Sequence, residues 1–381
     1  MTVPEKDDDP SERTIFITRR ARTPDAAPSP DSIGHYLVVL EGTSPGKRLE
    51  IGAEPITIGR GARQTLVVDD SDVSRLHARV TLINGDVIAE DMQSTNGTFV
   101  DGEPITGAVM LKEGGRLQMG GQVIKYERRS RQDVQKALEL DRDIRKASDY
   151  VLSLLPAPII AGPVRAEWCF VPSAQLGGDA FGYYWLDPST FVFYLVDVSG
   201  HGVGSAMHSV TVLNVLRQRA LPQVDFRSPA EVLSSLNVRF PSDSHGGMYF
   251  TMWYGVYHTG DRTLTYGSAG HGPAFLVPPD RHEAQPIGVP AVMIGLLPDQ
   301  TYDVQQTTLP PGHTLYVFSD GAYEIVTKDE QRWELSNFLP LLLEPAVPGT
   351  AEPQRIYRAV KQAAAPGPLE DDFSLMALTF Q

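Results

Sequence analysis

The sequence predicts a multidomain protein: an all-β sandwich, then an amphipathic linker helix, then an α+β module in which helices and strands form separate layers. Three observations carry this. Between residues 35 and 127, short apolar runs alternate with Gly, Asn and Asp, and no helical periodicity interrupts them. Residues 130–155 switch to apolar intervals of three and four. Beyond residue 158, longer apolar runs alternate with segments that carry helix-start signals. A chain of 381 residues is also too long for one compact core.

In chain order, residues 1–33 mix charge with Pro, Ser and Asp without periodicity and read as a disordered tail. The first module, residues 34–128, holds apolar runs at 36–40, 56–58, 66–68, 78–83, 87–89, 98–100, 116–119 and 123–126. Short strands so closely punctuated by turn residues predict an antiparallel sandwich or barrel. In the linker, residues 129–157, Ala137, Leu140, Ile144, Ala147, Val151 and Leu154 form one apolar row, and Pro156 and Pro158 end it. That row suits either a helix docked on one module or a short parallel coiled coil joining two copies of the chain.

The second module, residues 158–381, predicts strands at 191–198, 248–258, 263–267, 313–319 and 373–380. Two helices lie between the first two of these, one over 204–219 and one opening at Ser228-Pro229-Ala230-Glu231. There serine caps, proline takes the first helical position and glutamate reaches back. Strands in succession with helices grouped apart predict layers.

Composition excludes several functions. A formal net charge of −14 argues against nucleic acid as a partner. No apolar run reaches the ~18–20 residues that span a bilayer, and the acidic start is no secretory signal. The single cysteine, Cys169, excludes an internal disulfide and suits a reducing, cytoplasmic setting. Flanked by Trp168 and Phe170, it reads as a buried strand residue. It does not suit cysteine-phosphatase chemistry either, since Gln175 stands where the phosphate-cradling arginine is needed. Residues 42–47 (Gly-Thr-Ser-Pro-Gly-Lys) imitate a nucleotide phosphate loop, yet the run is one residue short and Arg48 replaces the Mg²⁺-binding hydroxyl.

Two sets of motifs carry chemistry. In the first module, Gly59-Arg60, Ser74-Arg75-Leu76-His77 and Ser94-Thr95-Asn96-Gly97-Thr98 all fall in loops between strands. Arg60 offers a bidentate fork, Ser74 and Thr95 offer hydroxyls, and Asn96 can fix a peptide backbone. The set resembles a forkhead-associated (FHA) domain. The resemblance implies a phosphothreonine-containing protein as ligand, contacted by Arg60, Ser74, Arg75, Thr95 and Asn96, with His77 holding the loops together. It also makes Thr14, Thr18 and Thr23 of the tail, which lie near arginines, candidates for capture by the same pocket once phosphorylated.

In the second module, acidic segments recur: Gly177-Gly178-Asp179, Asp197-Val198-Ser199-Gly200-His201-Gly202, Ser319-Asp320-Gly321 and Glu370-Asp371-Asp372-Phe373-Ser374. Most lie beside apolar β-type runs, so the aspartates can converge at one sheet edge and hold hard cations. Two divalent ions would make water nucleophilic and screen the charge of a phosphate ester. Together with Ser-Ala-Gly-His-Gly-Pro at 268–273, the series resembles the metal-dependent serine/threonine phosphatases of the PPM class, in the bacterial stage II sporulation protein E branch.

The resemblance implies an αββα-layered fold, a cofactor of two Mn²⁺ or Mg²⁺ ions, and hydrolysis of phosphoserine or phosphothreonine, on an anti-sigma-factor antagonist. Asp197 would bridge both ions, Asp179 and the carbonyl of Val198 would complete one, and Asp320 and Asp371 the other. Asp372 is the alternative to Asp371. His201 and His271 read as loop-shaping residues, because hard ions disfavour imidazole. The chain departs from the class after Asp179, where Ala-Phe-Gly-Tyr-Tyr-Trp lacks a further carboxylate, at Ser374, and in having no arginine between residues 171 and 176. A second reading is an inactive FHA-phosphatase-like adaptor; retention of all four aspartates argues against it.

Overall fold

The structure is a computed structural model that describes residues 33–381, so the expectations for residues 1–32, including Thr14, Thr18 and Thr23, lie outside the described residues. The chain divides into two compact units between Leu140 and Asp141.

The first unit is a sandwich of eleven strands: β1 (Ile33–Glu41), β2 (Arg48–Glu50), β3 (Ile56–Gly59), β4 (Leu66–Val67), β5 (Ala78–Ile83), β6 (Asp86–Asp91), β7 (Thr98–Val100), β8 (Glu103–Ile105), β9 (Val109–Met110), β10 (Arg116–Met119) and β11 (Gln122–Ser130). One sheet has the order β2-β1-β11-β10-β7-β8 and the other β4-β3-β5-β6-β9. Alternating side chains from both sheets, among them Leu37, Ile124 and Leu117 from one and Ile58, Val80 and Ala89 from the other, form a single buried core. Turn chemistry fixes the registers. Asn84-Gly85 joins β5 to β6 and Asp101-Gly102 joins β7 to β8, each pair with positive φ at both residues, as a two-residue hairpin requires.

Helix α1 (Arg131–Leu154) follows. Val134 is buried near its start, and Val151 packs with Ile144, Leu176, Ala206 and Val210 near its end. Of the predicted apolar row, Ala137, Leu140 and Ala147 are exposed. No helix among the described residues is long and apolar enough to cross a membrane.

The second unit contains β12 (Val164–Val171), β13 (Asp179–Asp187), β14 (Thr190–Val198), α2 (Val203–Arg217), α3 (Pro229–Arg239), β15 (Phe250–His258), β16 (Thr263–Ala269), β17 (Ala274–Val277), β18 (Gln285–Ile287), β19 (Val304–Thr308), β20 (Thr314–Phe318), α4 (Leu335–Leu343), α5 (Glu352–Ala363) and β21 (Phe373–Phe380). Two five-stranded sheets, β12-β21-β20-β17-β18 and β13-β14-β15-β16-β19, face each other across Phe181, Phe193, Trp253, Leu315, Met376 and Phe380. The second sheet's outer face packs on α2 and α3 through Val192, Tyr254, Leu213 and Leu233, and the first sheet's outer face on α4 and α5 through Tyr316, Leu375, Phe338 and Ile356. Strands buried on both faces explain why β14 and β21 are apolar along most of their length. The layers are therefore α, β, β, α.

One local expectation fails. Ser228 does cap α3, accepting from the backbone N–H of Glu231, but Glu231 does not reach back to the N–H of Ser228. The carbonyl of Asp225 already takes that N–H, and the Glu231 carboxylate accepts from the backbone N–H of Asp225 instead.

Candidate functional site

In the β-sandwich, three loops meet around His77, which is fully buried. Its Nδ1 accepts from the backbone N–H of Ser74 at 3.0 Å, so Nε2 carries the proton and donates to the carbonyl of Gly97 at 3.0 Å. One imidazole thus ties the β4–β5 loop to the β6–β7 loop. The Ser74 hydroxyl accepts from the N–H of Thr95, and Asn96 Nδ2 donates to the carbonyl of Asp72. The β3–β4 loop joins because Gly59 has no side chain: a Cβ there would stand 2.5 Å from the carbonyl oxygen of Arg75.

These contacts shape an open cavity of about 480 Å³ whose lining includes all five predicted contact residues, Arg60, Ser74, Arg75, Thr95 and Asn96. A further residue shaping these loops is Asp91, whose carboxylate accepts from the hydroxyls of Ser94 and Thr98 and from the N–H of Ser94. Burial pushes its pKa up, but those hydrogen bonds outweigh burial and hold it below the usual range. A lone aspartate ending a strand carries no sequence signal for that role.

In the layered unit, the acidic segments converge as strand register demands. Asp179 opens β13 and Asp197 lies near the end of β14, and the two are direct partners across the antiparallel pair. Asp320 follows β20 and Asp371 precedes β21, two strands that also pair. Four glycine or serine contacts allow the loops to close. A Cβ on Gly177 would meet Asp372 Oδ2 at 2.5 Å, one on Gly178 the carbonyl of Val198 at 2.9 Å, and one on Gly321 the carbonyl of Asp372 at 2.2 Å. The Ser319 hydroxyl donates to that same Asp372 carbonyl.

Asp371 and Asp372 have different surroundings. Asp372 is buried, and its carboxylate accepts from the N–H and hydroxyl of Ser173 and from the N–H groups of Gly178 and Asp179. It stitches the segment ahead of β13 to the start of β21. Asp371 is exposed and accepts only from the N–H of Asp372.

Electrostatics mark the same group. Burial raises the pKa of Asp179 well above the carboxylate range, with Asp197 and Asp372 adding to it. Burial, then Asp320, Asp371 and Asp372, push Asp197 up to about 8. Asp320 is raised by burial and by Glu324; Asp371, exposed along part of its side chain, is raised by partial desolvation and by Asp320, with the N–H of Asp372 and His201 opposing. Oδ2 of Asp179 is buried and has no hydrogen-bond partner. Uncompensated carboxylates gathered in this way call for an external cation.

Among the described residues, no group of three or more His, Cys, Asp or Glu side chains stands in chelating geometry around one point. Ions that keep several waters do not need such a cage, and one or two carboxylates with waters hold Mg²⁺. The all-oxygen donor set, the orphaned oxygen and the shared excess charge therefore fit hard divalent ions. Asp197 and Asp320 also line a cleft of about 100 Å³ together with Thr251, His271 and Tyr323. His271 is no ligand: its Nε2 faces the carbonyl of Phe318 and must donate, leaving Nδ1 to accept from the Thr251 hydroxyl. Burial holds its pKa down at about 4. Thr251 and Tyr323 went unnoticed in the sequence, where a strand threonine and a helical-turn tyrosine look ordinary.

The fold and site thus define a two-module protein, an FHA domain joined to a PP2C-like phosphatase fold. Residues 56–120 match the FHA domain family, and residues 187–381, half of the chain, match the stage II sporulation protein E (SpoIIE) family. The chain belongs to the SpoIIE family.

It is 38% identical over 93 residues to the FHA domain-containing protein FhaB of Mycolicibacterium smegmatis, which covers 24% of this chain and 60% of FhaB. It is 28% identical over 196 residues to the phosphoserine phosphatase RsbP of Bacillus subtilis, which covers 50% of this chain and 46% of RsbP. The chain thus spans less than two thirds of either relative. The solved SiaA-PP2C domain of Pseudomonas aeruginosa shares the fold, with a TM-score of 0.57 at 19% identity over 66% of this chain and all of that domain.

Proposed function

We propose that the chain is a metal-dependent protein serine/threonine phosphatase whose FHA domain, residues 34–128, recruits a phosphothreonine-containing protein. Residues 158–381 are the catalytic domain and residues 129–157 the linker. The observation that carries this reading is the mutual charging of four aspartates with one orphaned buried oxygen at the paired ends of two sheets. Bound Mn²⁺ or Mg²⁺ would supply the positive charge and Lewis acidity that make water nucleophilic and offset the charge of the phosphate.

Asp179, Asp197, the Val198 carbonyl, Asp320 and Asp371 would hold two such ions. Asp372 keeps Asp179 in place by fixing the backbone around it. The Thr251–His271–Phe318 relay holds the loop over 270–273 against the cleft. The largest charges acting on Asp179, Asp197 and Asp320 are other carboxylates and not arginines, so on this reading the phosphate rests on the ions and on backbone donors. RsbP is by name a phosphoserine phosphatase, which supports a phosphoserine substrate; the resemblance to the stage II sporulation protein E branch makes a phosphorylated anti-sigma-factor antagonist the substrate proposed here.

Manganese-dependent release of phosphate from a phosphoserine peptide, abolished in Asp197→Asn, tests the enzyme. Binding of phosphothreonine peptides, lost in Arg60→Ala, tests the recruiting domain. The exposed residues Ala137, Leu140 and Ala147 keep heptad spacing and support pairing of two copies through α1, which sedimentation of Leu140→Glu checks.

A further inference from the structure

Outside the acidic cleft, the catalytic unit holds a cavity of about 270 Å³ along the free edge of β13, between the end of α1 and the end of α2. Gly182, Tyr184, Trp185, Tyr194, Arg217 and Arg219 line it. Four features of this wall lack a structural explanation.

The hydroxyl of Tyr194 is buried and has no hydrogen-bond partner, whereas that of Tyr184 lies beside the Tyr254 hydroxyl, which itself donates to the carbonyl of Phe226. The Tyr194 side chain is wholly removed from solvent, and its hydroxyl reaches across Gly182, where a Cβ would meet it at 2.4 Å. Buried phenols are normally paired, because an unmade hydrogen bond is costly.

Both arginines lack a carboxylate partner among the described residues. Arg217 donates only to the carbonyl of Leu154, and Arg219 lies over the ring of Tyr184, 5.7 Å from its centroid. In a chain of net charge −14, two adjacent guanidinium groups without an acid are conspicuous.

The backbone at Arg219 is the fourth. The N–H of Ala220 bonds to the carbonyl of Val215, and that of Arg219 to Leu216, which is a Schellman end to α2. Arg219 therefore sits at the position that glycine usually takes, with φ of 52°.

From these we propose that the cavity binds a small organic anion: a phosphate, phosphonate or carboxylate group held by Arg217 and Arg219 and by the hydroxyl of Tyr194, with a flat apolar body against Trp185. Two charged forks suit a planar or tetrahedral anion, and the aromatic wall suits a ring. The site lies on the same hairpin as Asp179 and Asp197, since Gly182 pairs with Tyr194 three positions from that acidic pair. It does not depend on the phosphatase reading.

The test uses the full chain in EDTA, so that the acidic cleft, without ions, repels the probe. The probe is phenylphosphonate, whose carbon–phosphorus bond resists hydrolysis, with benzoate and inorganic phosphate as comparisons. All four tryptophans lie beyond residue 140, so their fluorescence ignores the FHA pocket.

Saturable quenching with Kd below about 1 mM is expected, lost in Trp185→Phe while calorimetric binding persists. Arg219→Gly should bind about tenfold more weakly or worse and yet unfold at equal or higher urea, since glycine suits its backbone. Inorganic phosphate should bind more weakly than phenylphosphonate. No saturation by about 10 mM, or an unchanged Kd in a folded Arg217→Gln/Arg219→Gln variant, overturns the proposal.

Discussion

Asp371 and Asp372 are adjacent in sequence, and the structure gives them different surroundings, so substitution separates the ligand proposed at Asp371 from the backbone anchor at Asp372. Replacing Asp372 by Ala removes the acceptor for three backbone N–H groups and one hydroxyl, of which the Gly178 bond is the shortest at 2.6 Å and wholly buried. Each buried donor left unpaired costs about 1–3 kcal/mol, and bonds to a charged acceptor lie toward the upper end. Asp372 is also a like charge acting on Asp179 and Asp197, and its loss relieves some of their repulsion. Hydrogen bonds win that balance because at least two donors have no water to turn to. The expected net loss is about 3–4 kcal/mol.

Asp371→Ala removes a single local bond to the N–H of Asp372 from an exposed position and should cost about 1 kcal/mol or less. If Asp371 is a ligand, as proposed, the effect falls on cation binding, and loss of the carboxylate should raise the manganese concentration for half-maximal activity by about tenfold or more. Urea unfolding followed by tryptophan fluorescence reports the catalytic unit alone, since every tryptophan lies there. If Asp372→Ala unfolds with the parent while its manganese requirement rises, and Asp371→Ala does neither, the assignment of the two carboxylates is wrong.

Three further outcomes follow from the same contacts. Arg60→Ala should weaken phosphothreonine-peptide binding by about thirtyfold, some 2 kcal/mol for a charge-assisted fork, without moving the urea midpoint of the catalytic unit; calorimetry checks it. Gly321→Ala places a Cβ against the carbonyl of Asp372, and should destabilise the catalytic unit by about 3 kcal/mol and cut phosphatase activity, because Asp320 moves with it. Glu352→Gln disrupts a buried cluster in which Glu352 accepts from Arg281, Arg355 and Tyr316, and should cost about 3–5 kcal/mol at pH 7. Burial raises the pKa of Glu352, but the bonds from Arg355 and Arg281 outweigh it and hold it below the usual value. Stability from a depressed carboxylate is full above its unfolded pKa, near 4.3, and is lost as pH falls through the folded one. Unfolding curves at falling pH should therefore show the penalty of the substitution shrinking below about pH 4.

What the sequence makes legible here is whatever the backbone imposes locally. Asn84-Gly85 and Asp101-Gly102 announce hairpins because two consecutive residues of positive φ need those side chains, whereas Asn96-Gly97, which looks alike, leads out of a binding loop. The glycines beside Asp179 and Asp320 are legible for the same reason: each lets backbone approach backbone where a methyl group would collide. The linker was legible as a helix but not in its burial, since a periodic apolar row says that a face exists and not what covers it; Val134, outside the row, is buried while Leu140, inside it, is open.

Tertiary pairings leave no local trace. That Asp372 and not Asp371 is buried depends on which way the chain faces as it enters β21, a matter of one residue in a strand of period two. The buried phenol of Tyr194 is equally silent in sequence, because its environment is Gly182, set by the register of a hairpin, and Arg217, set by the end of a helix. Sequence therefore reads the aspartates, which need only glycine neighbours to reach an edge. It cannot read the arginine-lined cavity, which exists only once β13, β14 and α2 have met.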